Sequence, residues 1–570
     1  MATKKEFIAQ EVAREVGAGR PAALETVDFS DPKRPKTCLE VDFPILSVNQ
    51  VAAIEGPASK PIYQMSKWWA RRRSSVFRSM LIAAATRAPE DPSHAAKLVW
   101  DNYYANHQKK GAYKHLKVAD IFMGGGTTLV EGSRLGMQMS GNDLNPVAWF
   151  VVKQELADVD LDEVKCLLAD IEADVKPQIM PFYYCDGPNG ETGVWTHKPS
   201  GKVMGANFDP LALLPEERKD YGYEGPEIIY TFWAKHGLCK VTGCGHRTPI
   251  MTSPVVAVKS ISVKSWRHNC SACGGAYDIE DTEARMAPGI PIFVADDEVQ
   301  FSHINANGKV ICPHCGDEEM IKLGKSKNKS VSLSLLVHPD WLNGINSVGS
   351  DGNPFGGSTQ DSPSSTAEWN IARSQNVRLL EVRGDLPAQV TCPETGRTFA
   401  TGKAGGTVPG KAKFTCSACG ALNDVLASAK QTGKNGPMSA YAIHAYSKER
   451  RASGAPYNGR FFAPFGEREA KQMNAAMMEW EARKSKDLDG CWPREGIPDG
   501  FMTTHNNGDI KNGHGYHYWS DMFNARELLA HSLLLKSIMN VGGYSKDTRE
   551  YVLGCLQQYV RNNNNFTIWN

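Results

Sequence analysis

No run in the 570 residues reaches the roughly 18 apolar positions that a membrane-spanning helix needs, and no charged-then-apolar leader opens the chain. These absences predict neither a membrane span nor a secretory signal, and hence a cytoplasmic protein. Charge of one sign is not in excess, since Lys and Arg number 64 against 63 Asp and Glu. The molecule is therefore no polycation, and any surface for nucleic acid must be a local patch. The glycine turn at residues 124–126 has neither the G-x-G-x-x-G of a dinucleotide site nor the Gly-Lys-Ser/Thr of a phosphate loop. Nowhere do two prolines stand together.

What is present around that turn is the stretch VADIFMGGGTTLVEGSRLGMQMSGNDLNP, from Val118 to Pro146. Its pattern predicts a strand over Leu116 to Asp120, a break at Met123-Gly124-Gly125-Gly126, and a helix from Thr127 to Leu135 stopped by Gly136. A second strand then ends at Asp143. Glycines let a backbone approach a ligand where any Cβ would collide. The turn opens onto a helix N-terminus, whose unpaired N–H groups favour a carboxylate or phosphate. Asp143 sits where an acid accepts both hydroxyls of a ribose. The plainer reading is an α/β crossover with a glycine-rich turn.

Residues 1–37 read as a loosely held lead-in. The segment from Ile62 to Arg78 predicts a helix, with Trp69, Val76, Phe77, Met80 and Leu81 on an apolar face and Lys67, Arg71, Arg72, Arg73 and Arg78 as its cations. Those arginines either grip a base or phosphate or form a solvated face, while Trp68 and Trp69 suit core packing. Further helices are expected at Val147 to Leu156 and Val159 to Lys176, and strands at Val194 to His197 and Glu227 to Trp233. Ser347 to Thr366 is rich in Gly, Ser, Asp and Pro and reads as a loop. Lys322 to Lys329 is a basic run open to phosphate or to solvent. From Tyr441 the pattern returns to helix, notably Phe465 to Trp480, a helix capped by Ser520 or Asp521, and Lys546 to Val560.

Fourteen cysteines occur, largely as Cys-x-x-Cys pairs followed by glycine, which favours metal over disulfides in a chain of this kind. Taken in order, Cys239 and Cys244 would join Cys270 and Cys273 across a hairpin from Val255 to Trp266, giving a four-thiolate zinc ribbon. Cys312, Cys315, Cys416 and Cys419 would then close a second Zn2+ site. Cys392, with Thr395 where a second cysteine would fall, is a relic or an alternative ligand.

The chain resembles the bacterial adenine-specific DNA methylases that carry an internal zinc ribbon. The resemblance rests on Trp68-Trp69-Ala70-Arg71-Arg72, on Asp120-x-Phe122-x-Gly124-Gly125-Gly126-Thr127 and on Asp143-Leu144-Asn145-Pro146. To these are added the knuckles at Cys270 and Cys416, and Tyr518-Trp519-Ser520-Asp521-x-Phe523-Asn524-x-Arg526. It implies an α/β fold: an incomplete, Rossmann-like methyltransferase sheet with an inserted zinc-ribbon β region. It also implies S-adenosylmethionine as cofactor, held by Asp120, Phe122, Gly124, Gly126, Thr127, Asp143 and Asn145, and DNA as partner. The expected divisions are 1–37, a cofactor part at 38–230, the ribbon insert at 231–435, and a helical return to the methyltransferase fold at 436–570. The family's catalytic Asp-Pro-Pro-Tyr, which polarises the exocyclic amine and stacks on the flipped base, needs a Pro-Pro that this sequence lacks. No catalytic residue is therefore assigned, and a second polypeptide or further half is expected to supply it. A zinc-ribbon nucleic-acid-binding subunit without chemistry is the rival reading.

Overall fold

The computed structural model describes residues 24–564 apart from 56–62, 64, 67, 69, 296–297, 299, 306, 323, 343–370, 411, 428–437, 501–502, 505–509 and 512–514. The loop expected over Ser347 to Thr366 lies outside the described residues, as do Lys67 and Trp69. The protein is mixed α/β and forms two compact units. One runs to Asp170 and takes in Ile538–Asn562; the other spans Ile171–Ser537. The division expected at residue 230 thus falls some sixty residues earlier. Of the expected helical return, Met438 to Ser537 belongs with the ribbons.

In the first unit, helices α1 (Ile45–Ile54), α2 (Ser74–Ala85) and α3 (Ala95–Asp101) precede β1 (Lys117–Asp120), α4 (Thr127–Leu135) and β2 (Gln138–Gly141). Strands β1 and β2 pair in parallel, Lys117 opposite Gln138 and Asp120 opposite Gly141. No third strand joins them among the described residues. Helix α4 is the crossover, and its apolar side meets α2 in a core of Cys38, Ile82, Ala83, Val99, Tyr113, Leu116, Leu135 and Met137. Helix α5 (Pro146–Glu155) follows, with Asn145 accepting from the Val147 N–H at 2.9 Å to cap it. Then comes α6 (Leu161–Ile179), of which the residues up to Asp170 belong to this unit. The C-terminal helix Lys546–Asn562 is tied to this unit at its start, where the Glu163 carboxylate accepts from Ser545 N at 2.7 Å and from the hydroxyls of Ser545 and Thr548.

The lead helix starts later than its apolar spacing suggests. Arg71 to Arg73 are not helical, and α2 begins at Ser74. The cause is a cap from far away: the Glu55 carboxylate accepts from Ser74 N at 2.9 Å and Ser75 N at 3.0 Å, which fixes the first turn there.

The second unit is β-rich. A small antiparallel sheet holds β3 (Val194–His197), β4 (Lys202–Val203) and β5 (Tyr221–Glu224). Strands β6 (Glu227–Leu238), β7 (Arg247–Pro249), β8 (Val255–Asn269), β9 (Ala276–Glu280), β10 (Ile292–Val294) and β11 (Phe301–His303) come next. They are followed by β12 (Lys309–Ile311), β13 (Glu318–Met320), β14 (Lys327–Val337), β15 (Leu379–Arg383), β16 (Gln389–Thr391) and β17 (Thr398–Ala400). Last are β18 (Lys413–Thr415), β19 (Leu422–Asp424), β20 (Met438–Tyr446) and β21 (Arg460–Pro464). The largest sheet runs β10-β15-β14-β8-β9-β11, and a second runs β21-β20-β6-β7. Hairpins β12–β13, β16–β17 and β18–β19 stand apart from them as two-stranded units.

Two expectations change here. Val255 to Trp266 is no hairpin but most of one 15-residue strand, β8, paired along its length with β14. Met438 to Tyr446 is a strand, β20, rather than the start of a helical region. All but its end residues are buried, and a short apolar run carries no period that separates a buried strand from a buried helix. Helix α7 (Glu467–Arg483) does follow, packing Ala470 and Met473 on Ile228, Ile443 and Phe461. Before α8 (Ala525–Asn540) the cap is Asn524, whose side chain accepts from Glu527 N at 3.0 Å. Asp521 is used instead on the N–H groups of His517 and Tyr518.

Buried charge ties the large sheet together. Arg383, fully buried on β15, donates to both Glu280 oxygens at 2.5 and 3.0 Å and lies over the Phe301 ring. Lys329, from the basic run, is spent on Glu280 at 3.6 Å and on two further acids, Asp278 at 3.2 Å and Glu298 at 3.1 Å. Arg383→Leu would strand Glu280 without its bidentate partner. Denaturant unfolding of the variant is expected to show a loss of about 3–5 kcal/mol, and an unchanged midpoint would contradict this account.

Candidate functional site

The glycine turn joins β1 to α4, and its backbone requires glycine at two places: Gly124 has φ of 51° and Gly126 of 74°. Strand β2 ends at Gly141, so Asp143 lies on the loop beyond it rather than in the strand. From there its carboxylate returns to the turn. One oxygen accepts from Gly124 N at 2.9 Å and the other from Asn145 N at 2.8 Å. These backbone donors, Asn145 first and Gly124 second, hold the Asp143 carboxyl below its ordinary range. Asp120 accepts from Phe122 N at 3.1 Å, and Phe122 projects outward, 77% exposed. Thr127 opens α4 with its hydroxyl directed to the Arg72 carbonyl at 3.4 Å. The expected cofactor residues Asp120, Gly124, Gly126, Thr127, Asp143 and Asn145 are thus gathered at one end of the two-stranded sheet.

The structure also shows what the missing side chains make room for. A Cβ on Gly125 would lie 2.9 Å from the Trp68 indole, and one on Gly126 would lie 2.5 Å from Val152. The space at these two glycines is occupied by the protein's own tryptophan and valine, which is a packing reason for them that sequence alone did not reveal. Arg71 completes the arrangement. It donates to the Gly125 carbonyl, pairs with Glu155 at 2.7 Å and lies over the Tyr63 ring at 4.2 Å. Burial pushes the Glu155 carboxyl up to about 7, against the pull of Arg71. Glu155 was not anticipated; the signal for it was a lone acid at the end of the helix Pro146–Glu155. Of the cations in the lead segment, Arg71 and Arg78 are tied to Glu155 and Glu131, while Arg72 and Arg73 remain exposed.

The eight expected metal-ligating cysteines do form two groups of four, but not the groups that chain order suggests. Cys239 and Cys244 meet Cys416 and Cys419; Cys270 and Cys273 meet Cys312 and Cys315. The reason is the strand between the first two pairs. Fifteen extended residues reach roughly 50 Å, so β8 carries Cys270 away from Cys244. Each group instead joins the ends of two hairpins. Cys239 Sγ lies 3.6 Å from Cys419 and Cys244 3.8 Å from Cys416, while Cys270 and Cys273 lie 3.7 and 3.8 Å from Cys315 and Cys312. Four thiolates bound tetrahedrally to one metal at about 2.3 Å stand about 3.8 Å apart, far beyond a disulfide bond. Both groups fit a metal ion on that ground. Asn423 Nδ2 donates to Cys239 Sγ and Gly275 N to Cys273 Sγ, hydrogen bonds that suit charged sulfur.

The polar residues of the Tyr518 segment do structural work. Arg526, buried, donates to the Phe182 carbonyl at 2.9 Å and to Thr231 at 2.6 Å, and it covers the Tyr183 ring. No family model, curated protein or solved structure matches this chain.

The observed pairing has a direct check. Cys419→Ser is expected to lower bound metal from two ions per chain to one. It should leave Cys239 and Cys244 open to thiol reagents while Cys312 and Cys315 stay protected. Reaction of Cys312 and Cys315 would restore the pairing by chain order.

Proposed function

We propose that the chain is the cofactor-binding portion of an S-adenosylmethionine-dependent DNA methyltransferase acting on adenine N6, with zinc in both four-thiolate groups and the ribbon unit facing DNA. The observation that carries this reading is the Asp143 carboxylate on the Gly124 N–H. An acid from beyond the second strand lies against the glycine turn that follows the first, the juxtaposition a nucleoside needs for its ribose hydroxyls. Asp143 would take those hydroxyls in place of its present backbone donors, and the first N–H groups of α4 would face the cofactor's carboxylate. Bound S-adenosylmethionine supplies the methyl group. Trp68 and Arg71 brace the turn, so the loop is ordered before the ligand arrives.

The amine-polarising group is not among these residues, and the reading assigns it to a partner segment bearing Asp-Pro-Pro-Tyr. Two features support such a partner. Parallel sheets are ordinarily covered on both faces and built from more than two strands. Here the loops at the strand ends also expose Phe122 and Leu144 (94% exposed), and α5 exposes Trp149. The rival reading, a zinc-ribbon nucleic-acid-binding subunit without chemistry, is favoured by Trp68 and Val152 filling the space beside Gly125 and Gly126.

Titration calorimetry separates the two. The first reading expects S-adenosylmethionine to bind, with Asp143→Ala weakening it by about 1.5–3 kcal/mol, the range for a lost hydrogen bond to a charged group. It further expects methyl transfer to adenine N6 once a polypeptide carrying Asp-Pro-Pro-Tyr is co-expressed. A folded, metal-loaded chain that gives no heat with the cofactor would decide for the second.

A further inference from the structure

The central ladder of the large sheet has one face in the core and one in water. Ala257, Ile261 and Val263 of β8 and Val331, Leu333 and Leu335 of β14 fill the core. The residues between them alternate to the other face. There Ser260 stands opposite Ser332, Ser262 opposite Ser330, and Lys264 opposite Asn328. All but Ser332 are exposed. This row offers hydroxyls, an amide and an ammonium.

Two hairpins stand on the same face. At one end β12–β13 packs Val310, with Ile321 just beyond it, on Trp266, Tyr277 and Ile279, beside Cys270 and Cys312. At the other end β16–β17 packs Val390, Cys392 and Phe399 on Leu336, Leu380 and Val382. The floor from Ser260 to Lys264 lies between them and is roughly 13 Å long.

Beyond β13 the chain passes through Lys322 and Lys325 on its way to β14. Between these two lysines the Gly324 carbonyl accepts from the Trp266 indole N–H at 2.9 Å. Trp266 is two residues on from Lys264 and shares its face, so three ammonium groups gather at one rim of the floor. The cations around them are matched to acids, Arg267 to Asp278 at 3.1 Å and Lys309 to Glu318 at 3.0 Å. Lys264, Lys322 and Lys325 are exposed and make no ion pair among the described residues. Asp281, which follows β9, turns its carboxylate onto the Lys264 backbone N–H at 3.1 Å instead.

We propose that this face seats the phosphate backbone of duplex DNA between the two hairpins, with Lys264, Lys322 and Lys325 neutralising phosphates. Ser262, Ser330 and Asn328 donate hydrogen bonds to phosphate oxygens. The inference rests on the ribbon unit facing DNA and names the face that does so; it requires neither cofactor nor chemistry. Ammonium, hydroxyl and amide donors suit phosphate oxygens and read no bases. Single strands are held by aromatic side chains on which their bases stack, and the floor presents none, since Trp266 is engaged at its edge. Duplex backbone is therefore the partner that fits, with binding that is indifferent to sequence and sensitive to salt.

The test is binding of a fluorescent duplex to the full chain, followed by anisotropy across a salt series. The unaltered protein is compared with a variant combining Lys264→Gln, Lys322→Gln and Lys325→Gln. The slope of log affinity against log salt should fall by about 3, one for each lysine, and equally for duplexes of unrelated sequence. A charge-matched control combines Lys33→Gln, Lys36→Gln and Lys109→Gln, exposed lysines outside this face, and should keep the full slope. Equal bound metal in all three proteins reports that the ribbons have folded. An undiminished slope in the first variant, or an equal loss in the control, would overturn the proposal while leaving the ribbon unit's contact with DNA standing. Failure of the unaltered chain to bind duplex at about 50 mM salt would remove both. Tighter binding of single-stranded DNA with the same dependence on the three lysines would overturn the choice of duplex.

Discussion

The length of β8 governs the second unit. Fifteen residues in one extended run cannot return a cysteine pair to where the chain left the last one, so each pair must find its partners in a different hairpin. A thiolate tetrahedron needs sulfurs from two turns at contact distance, and the two groups sit on either side of that constraint. One closes over a sequence separation of 45 residues, Cys270 to Cys315, and the other over 180, Cys239 to Cys419. The strand pairs with β14 from Val255 to Ser265, and the buried Arg383–Glu280 pair joins β15 to β9 across it. One cysteine group lies at the β8–β9 turn of the large sheet and the other at the β6–β7 turn of the second sheet.

What the sequence made legible was local chemistry. The strand–turn–helix–strand unit around Gly124 was readable because glycines, helix period and strand length all agree within thirty residues. The eight cysteines that gather in fours were likewise readable from spacing. What escaped was pairing at a distance. Alternation from Val255 to Trp266 looks the same whether the strand folds back on itself or runs on, because period 2 describes one strand's faces and not its partner. The apolar run Met438 to Tyr446 was misread for a related reason, being buried on both faces. The start of α2 depended on Glu55, nineteen residues upstream, and a cap supplied from another segment leaves no mark at the helix itself.

The glycine turn shows how one residue type serves two masters. At Gly124 and Gly126 the left-handed backbone demands glycine, and at Gly125 and Gly126 neighbouring side chains do. A glycine-rich turn after a strand is therefore compatible with a nucleoside site and with tight internal packing alike. What distinguishes the turn here is its electrostatics. An ionised Asp143 is already held by two backbone N–H groups, so the negative charge a ribose would need is in place without a ligand to organise it.

The unequal spans of the two thiolate groups bear on how the protein is made. Chains emerge from the ribosome N-terminus first, at about 5–20 residues per second. Cys312 and Cys315 arrive within some forty residues of Cys273, so that group is complete soon after β13 is out. Cys239 and Cys244 are synthesised earlier still, yet must wait until Cys416 and Cys419 appear about 170 residues later, roughly 10–35 seconds at that pace. The group begun first is finished last. Through that interval its two leading thiols stand without the other half of their group, a span that includes the turn at Cys392 between β16 and β17.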